Sequence, residues 1–286
     1  MVKILGVLLS LVLFLGANPA LAVPNFSNST LEIPGTTRTL ILPPAADNSN
    51  VISLGTATDP ATGEAVEGLA IIHYKKAPTH KPNHGSGGIT TTCYTYLSSG
   101  AKWKTIEPWV VNPTNNVGIG SSAPNTVFNI LNNAISKWED ATDGVLGNSL
   151  GVDVLGTGAT TSATLVADTQ SPDNQNEVYF ADIANSNTIA VTIVWGIFSG
   201  PTFNRKLVEW DQVYDDVDFD WSAENAGVSG KMDFDNIATH ELGHSVGMGD
   251  LYNTCIEETM YGYSSNSETK KRDLNVGDIT GINKLY

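Results

Sequence analysis

His240-Glu241-Leu242-Gly243-His244-Ser245-Val246-Gly247-Met248-Gly249-Asp250 is the stretch around which the rest of the chain can be ordered. At about 3.6 residues per turn, His240 and His244 lie one turn apart on one face of a helix, so both imidazoles can reach a single metal ion. Glu241 falls beside that metal without binding it. From there it can take a proton from a metal-held water and pass it to a leaving amine, the acid–base work that peptide hydrolysis requires. A catalytic zinc takes three protein ligands and keeps one position open. On an uninterrupted helix Asp250 would lie about 9 Å further along the axis and off the ligand face. Gly247, with Gly249 as a second candidate, can adopt positive φ, so the helix can stop sharply and the chain can turn back to present Asp250. An aspartate just past a helix C-terminus is badly placed for the helix dipole, which a cation partner would explain.

This run, followed by Thr259-Met260-Tyr261-Gly262, resembles the metzincin metallopeptidases, in which a long zinc motif precedes a methionine-containing turn beneath the metal. Within that clan the chain is most similar to the matrixins and their secreted prokaryotic relatives. Ala134-Ile135-Ser136-Lys137-Trp138-Glu139, Leu207-Val208-Glu209-Trp210-Asp211 and the closing Gly277 to Tyr286 support the likeness, which extends from about Cys93 to Tyr286. The resemblance implies an α+β catalytic domain: a twisted mixed β-sheet, an active-site helix, a second long helix and an irregular C-terminal part with a closing helix. It further implies one catalytic Zn2+ on His240, His244 and Asp250, Glu241 as general base and acid, Met260 beneath the metal, and polypeptide substrates. Most matrixins carry a third histidine where this chain has Asp250, an aspartate variant similar to the snapalysin type. The carboxylate adds negative charge to the ligand set, so the metal should be a weaker Lewis acid than in a three-histidine site.

Two other readings stay open. A different zinc peptidase class takes its third ligand from a downstream glutamate, for which Glu268 is the nearest candidate, although Asn266 to Lys270 lack the expected pattern. A non-enzymatic secreted binding or surface protein could keep the metal as a brace; such a site would be closed by a fourth protein ligand and would not need Glu241.

The 286 residues suffice for one large domain and a smaller segment. Lys3, the apolar run Ile4 to Leu15 and the small residues Ala20-Leu21-Ala22 read as a secretory signal peptide over residues 1–22. The apolar run is too short to span a bilayer, which argues against an anchor. A secreted, extracellular monomer without stable membrane insertion is the expectation. Export leaves Cys93 and Cys255 free to pair as a disulfide that would steady the loop between Asp250 and Met260. The rival role for Cys93, a latency thiol capping the zinc, suits Thr92-Cys93-Tyr94-Thr95 poorly, because that sequence does not match the matrixin cysteine switch. The net charge of −15 falls almost wholly on residues 93–286, with 25 acids against 10 bases, which excludes nucleic acid as a natural partner. It leaves room for Ca2+, which needs clustered oxygen ligands. The densest acidic run is Asp211, Asp215, Asp216, Asp218 and Asp220, whose spacing also suits a solvated strand edge and turn.

Residues 23–92 read as a β-rich propeptide or small N-terminal domain, with strands at Val51 to Leu54 and Leu69 to Tyr74 around a turn at Asp59 to Gly63, then an exposed linker from Lys75 to Gly88. His80 and His84 are four apart, but Pro82 prevents the helix that would align them. In the catalytic region, 93–286, strands are expected at Trp103 to Val111, Glu177 to Phe180, Thr188 to Phe198 and Lys206 to Val213. A helix from about Pro124 to Thr142 should bury Val127, Ile130, Leu131, Ile135 and Trp138, and Val276 to Tyr286 should close the domain as a helix with Ile279, Ile282 and Leu285 inward. Asp233 or Asp235 can cap the zinc helix. By position, Thr188 to Phe198 resembles the metzincin edge strand that pairs with an extended substrate, making Ile189, Val191 and Ile193 candidate substrate-binding residues. An ordinary core strand fits the same pattern.

Overall fold

The computed structural model describes residues 30–32, 39–41, 50–75, 92–114, 119, 125–252 and 255–286. The expected signal peptide and the linker with His80 and His84 lie outside the described residues.

In chain order the strands are β1 (Thr30–Glu32), β2 (Thr39–Ile41), β3 (Val51–Thr58), β4 (Ala65–Lys75), β5 (Trp109–Val111), β6 (Gly158–Thr160), β7 (Asn176–Ala181), β8 (Thr188–Ile197), β9 (Lys206–Asp215), β10 (Trp221–Ser222), β11 (Met232–Asp233) and β12 (Tyr263–Ser264). Eight of them form one mixed sheet in the order β12-β4-β8-β9-β7-β5-β6, with β3 also paired to β4. The helices are α1 (Asn125–Asp140), α2 (Phe234–Ser245) and α3 (Val276–Leu285). A mixed sheet with a few helices fits an α+β domain. Among the described residues no helix is long and apolar enough to cross a membrane.

The sheet is buried on both faces, which explains why β8 reads as an unbroken β-branched run rather than an alternating one. Toward the helices, Ala190 and Val194 join Val127, Leu131, Ile135 and Trp138 of α1 in the main core. On the opposite face, Val191, Ile193 and Trp195 pack with Val66, Ala70 and Ile72 of β4 and with Leu165 and Ala167. Helix α1 is tied to α2 by the Trp138 indole, which donates to the Thr239 carbonyl at 2.8 Å. A capping box between Asn275 and Asp278 starts α3.

Three expectations change. The strand expected over Trp103 to Val111 is reduced to β5, because Pro108 cannot donate to a ladder; Trp103 instead turns its indole to the Ser245 carbonyl at 2.7 Å. The strands expected around the Asp59–Gly63 turn do form, but within the large sheet: β4 lies antiparallel to β8 from Glu67 opposite Gly196 to Tyr74 opposite Thr188. Consequently β8 is not an edge strand, since β4 flanks it on one side and β9 on the other. Ile189, Val191 and Ile193 are all fully buried, the last two in the core on the far face of the sheet.

Candidate metal centre

Helix α2 carries the zinc motif between two well-made ends. Asp233 caps its start by accepting from the Asn236 amide at 2.9 Å, and Arg272 pairs with the same carboxylate. At the other end Gly247 takes φ +98°, the Gly247 amide donates to the His244 carbonyl at 2.9 Å and the Met248 amide to the Gly243 carbonyl at 2.8 Å. That pair of bonds is the Schellman arrangement, which a residue with a Cβ reaches only under strain. Gly249, the other candidate for a positive φ, is not among the glycines that adopt one. The reversed chain then pairs Met248 with Tyr96 and Leu251 with Tyr261, and Asp250 faces back to the helix.

The donor set can be read atom by atom. His240 Nδ1 donates to the Thr259 carbonyl at 2.6 Å and His244 Nδ1 to the Met248 carbonyl at 3.0 Å. A carbonyl only accepts, so each Nδ1 bears the proton and a neutral ring presents a bare lone pair at Nε2. Those two Nε2 atoms lie 3.1 and 3.5 Å from Asp250 Oδ1. All three atoms are buried without a hydrogen-bond partner. Burial first, then Lys271, pushes His240 down to about 3, so an imidazolium there cannot satisfy the carboxylate. Burial alone would raise Asp250, but His244 and His240 together hold it well below the usual carboxylate range. Burial would likewise lower His244, yet the Asp250 carboxylate beside it raises it. Two ligands at ~2.0–2.1 Å from a tetrahedral ion are separated by ~3.3 Å, and the observed separations fall on either side of that value. The residues present therefore fit zinc with three protein ligands. Among the described residues Glu268 is not part of this cluster.

The turn beneath the helix supports the ligands. Asp278 of α3 accepts from the amides of Thr259 at 2.7 Å and Met260 at 3.2 Å, and so presents the Thr259 carbonyl to His240. Met260 is fully buried against α2 at Gly243, where a Cβ would run into its sulfur and lie 2.8 Å from the Trp138 ring. Asp250 Oδ2 accepts from the Tyr252 hydroxyl at 2.9 Å. Cys93 and Cys255 are disulfide-bonded with their Cα atoms 5.6 Å apart, and Cys93 packs against Gly277 at the start of α3.

Glu241 is wholly buried, and burial raises its carboxyl against the pull of His240 and His244. Its partners were not foreseen. The Thr192 hydroxyl of β8 donates to Oε2 at 2.6 Å, and His73 of β4 meets Oε1 through Nδ1 at 2.6 Å. His73 Nε2 lies 3.1 Å from Ser264 Oγ, which accepts from Lys271 Nζ at 2.9 Å. Once Ser264 accepts from the ammonium, its own proton is free to donate to Nε2, which leaves the His73 proton on Nδ1, directed at Glu241. Both ring nitrogens are thus engaged, and ligand atoms of His73, His240 and Glu241 lie within 4.8 Å of one another. The available signal for His73 was a histidine in strand register with Leu69 and Ile71; nothing local marked Thr192, Ser264 or Lys271.

The acidic run divides. Asp215 caps a turn, accepting from the amides of Val217 and Asp218 at 2.8 Å and of Ile183 at 3.1 Å. Asp211 instead binds the amides of Asp168 and Glu177, bringing it into a cluster with carboxylates from another part of the chain. Oxygens of Asp168, Asp173 and Glu209 lie within 4.8 Å of one another, as do those of Asp182, Asp215 and Asp218. Glu209 Oε1 is buried without a partner. Burial, chiefly, pushes Glu209 up to about 10, Glu177 to about 7 and Asp168 to about 6.

Residues 169–286 match the matrixin family. A stretch of 55 residues is 40% identical to Metalloendoproteinase 1-MMP of Arabidopsis thaliana, covering 19% of this chain and 14% of that protein. The chain thus spans a small part of that relative's length. Both similarities support a matrixin-like zinc metallopeptidase.

Proposed function

We propose that the chain is a secreted, zinc-dependent endopeptidase in which His240, His244 and Asp250 hold the metal and Glu241 is the general base and acid. The observation that carries this is the meeting of three buried acceptor atoms, Nε2, Nε2 and Oδ1, with an acid–base carboxylate on the same helix. Zinc bound there supplies Lewis acidity that polarises a peptide carbonyl and acidifies water near neutral pH. The Nδ1 bonds of His240 and His244 fix the tautomer and aim each ring, as outer partners of metal-binding histidines do. Glu241 accepts the proton of the attacking water and returns it to the leaving amine. Asp250 leaves the site less positive than three histidines would. The same proposal includes removal of residues 1–22 on export, a pro-segment over 23–92, a monomeric catalytic domain over 93–286 and extended polypeptides as substrates. It also includes Ca2+ at the Asp168–Asp173–Glu209 cluster, where the orphan oxygen of Glu209 gives a cation something to satisfy.

The test is chelator-sensitive cleavage of a peptide library by zinc-loaded protein, beside Glu241→Ala. The variant should lose hydrolysis with its zinc content intact. Undiminished hydrolysis in Glu241→Ala, or four protein ligands seen by X-ray absorption, refutes the proposal and favours a metal-braced binding protein.

A further inference from the structure

A peptidase that takes an extended chain does so by adding it as a strand to a free edge beside the catalytic residues. Two strands border the centre here, and both already have the same partner. β4 lies antiparallel to β8 along eight positions, and its last residues, Tyr74 and Lys75, run parallel to Tyr263 and Ser264 of β12. The β4–β8 register shifts between His73 and Tyr74, a bulge that leaves Ile189 as the extra residue opposite the step. Such irregularities gather beside active sites, and this one aims a side chain into the centre. His73 sits with its ring centroid 4.2 Å from that of His240 and its Nδ1 on Glu241. With Thr192 on the other oxygen, Glu241 is fully enclosed. A water that is to give Glu241 its proton must take the place that His73 holds. The fit continues away from the centre: Gly68 lies under the Trp195 ring, where a Cβ would come within 2.7 Å, and Glu67 accepts from the Phe198 amide at 2.9 Å.

We propose that β4 is a built-in occupant of the peptide-binding track and that His73 holds the catalytic carboxylate idle, so that the chain is latent until β4 leaves. This rests on the assignment of the chain as a peptidase. It places latency on a histidine-bearing strand, and Cys93, engaged in its disulfide, plays no part.

The experiment uses zinc-loaded, full-length protein in three forms: wild type, His73→Ala and Gly68→Leu. Hydrolysis of a fluorogenic peptide library is followed together with hydrogen exchange of the amides in residues 188–197. His73→Ala removes the clamp that helps to hold β4 on β8, so β4 leaves more readily and the rate should rise by about tenfold or more, the scale expected for a lost hydrogen bond to a buried charge. Gly68→Leu should lift β4 from Trp195, so that β8 amides exchange and the rate rises further. A synthetic peptide of residues 65–75 should then suppress the activity of Gly68→Leu, and the same peptide with His73→Ala should do so about tenfold more weakly. No gain in His73→Ala overturns the inference, and a loss there makes His73 a positioning residue of the working enzyme. Wild-type hydrolysis as fast as both variants also overturns it while leaving the peptidase assignment intact. Absence of hydrolysis from a form whose β8 amides exchange freely overturns that assignment as well.

Discussion

Removing the Tyr252 hydroxyl should weaken zinc binding without touching any ligand. The hydroxyl donates to Asp250 Oδ2 at 2.9 Å, while Oδ1 of the same carboxylate faces His240 and His244. Two effects oppose each other in Tyr252→Phe. The freed carboxylate becomes a slightly stronger electron donor, which favours the metal. Against this, Asp250 sits past the helix end on a short turn with its side chain 5% exposed, so a buried Oδ2 is left without a partner and the group is free to rotate. A hydrogen bond to a charged acceptor contributes about 1.5–3 kcal/mol, and partners that orient metal ligands typically contribute about ten- to a hundredfold in affinity. The two estimates agree, because tenfold is about 1.4 kcal/mol. Orientation therefore outweighs basicity, and zinc affinity should fall about ten- to a hundredfold. The assay is competition against a chromophoric chelator at fixed pH, with urea unfolding of the metal-free protein as the control for a purely structural loss. Unchanged affinity would refute Asp250 as the third ligand, and an equal loss in metal-free stability would refute the orienting role.

Gly243→Ala should destabilise by about 1–3 kcal/mol, since its Cβ meets the Met260 sulfur and the Trp138 ring in a filled core; adding Met260→Ala should recover part of that loss in a double-mutant cycle, and a Gly243→Ala as stable as wild type contradicts the packing. The acidic cluster sets a pH dependence away from the metal. Asp168, Glu177 and Glu209 are raised on folding, to about 6, about 7 and about 10, so the folded state binds more protons than the unfolded one above about pH 4. Their contribution is complete below that pH and is lost as pH rises through the folded values. Without divalent cations, urea stability should fall by roughly 2 kcal/mol between about pH 5 and about pH 8 once solvent screening is allowed for. Millimolar Ca2+ should remove the slope, and a stability that rises across this window contradicts the assignment.

Much of the centre could be read locally. His240, Glu241 and His244 lie within one helical turn, and Gly247 ends that turn by a conformational preference of its own, so neither needs a distant partner to be recognised. The same holds for the Asp233 cap, the buried stripe of α1 and the closing helix. Reading failed where a local pattern had more than one tertiary outcome. Thr188 to Ile197 has the composition of any strand buried on both faces; whether its edge is free depends on β4, more than a hundred residues earlier. The acidic run from Asp211 to Asp220 looked like one cluster, yet four residues of extended strand put Asp211 and Asp215 about 13 Å apart, and Asp211 joins Glu177 and Asp168 while Asp215 turns to its own loop.

The sequence by itself marked His240, Glu241 and His244 as a group, because helix geometry brings residues one turn apart onto one face, and it determined the helix ends through capping and glycine. Tertiary structure alone decided what faces those donors. His73 meets Glu241 across 168 residues and Ser264 across 191. A strand's neighbours follow from sheet order and register, which depend on the burial of both faces and on every competing pairing at once. No local stretch of residues encodes that choice, and here it puts a histidine against the Glu241 carboxylate.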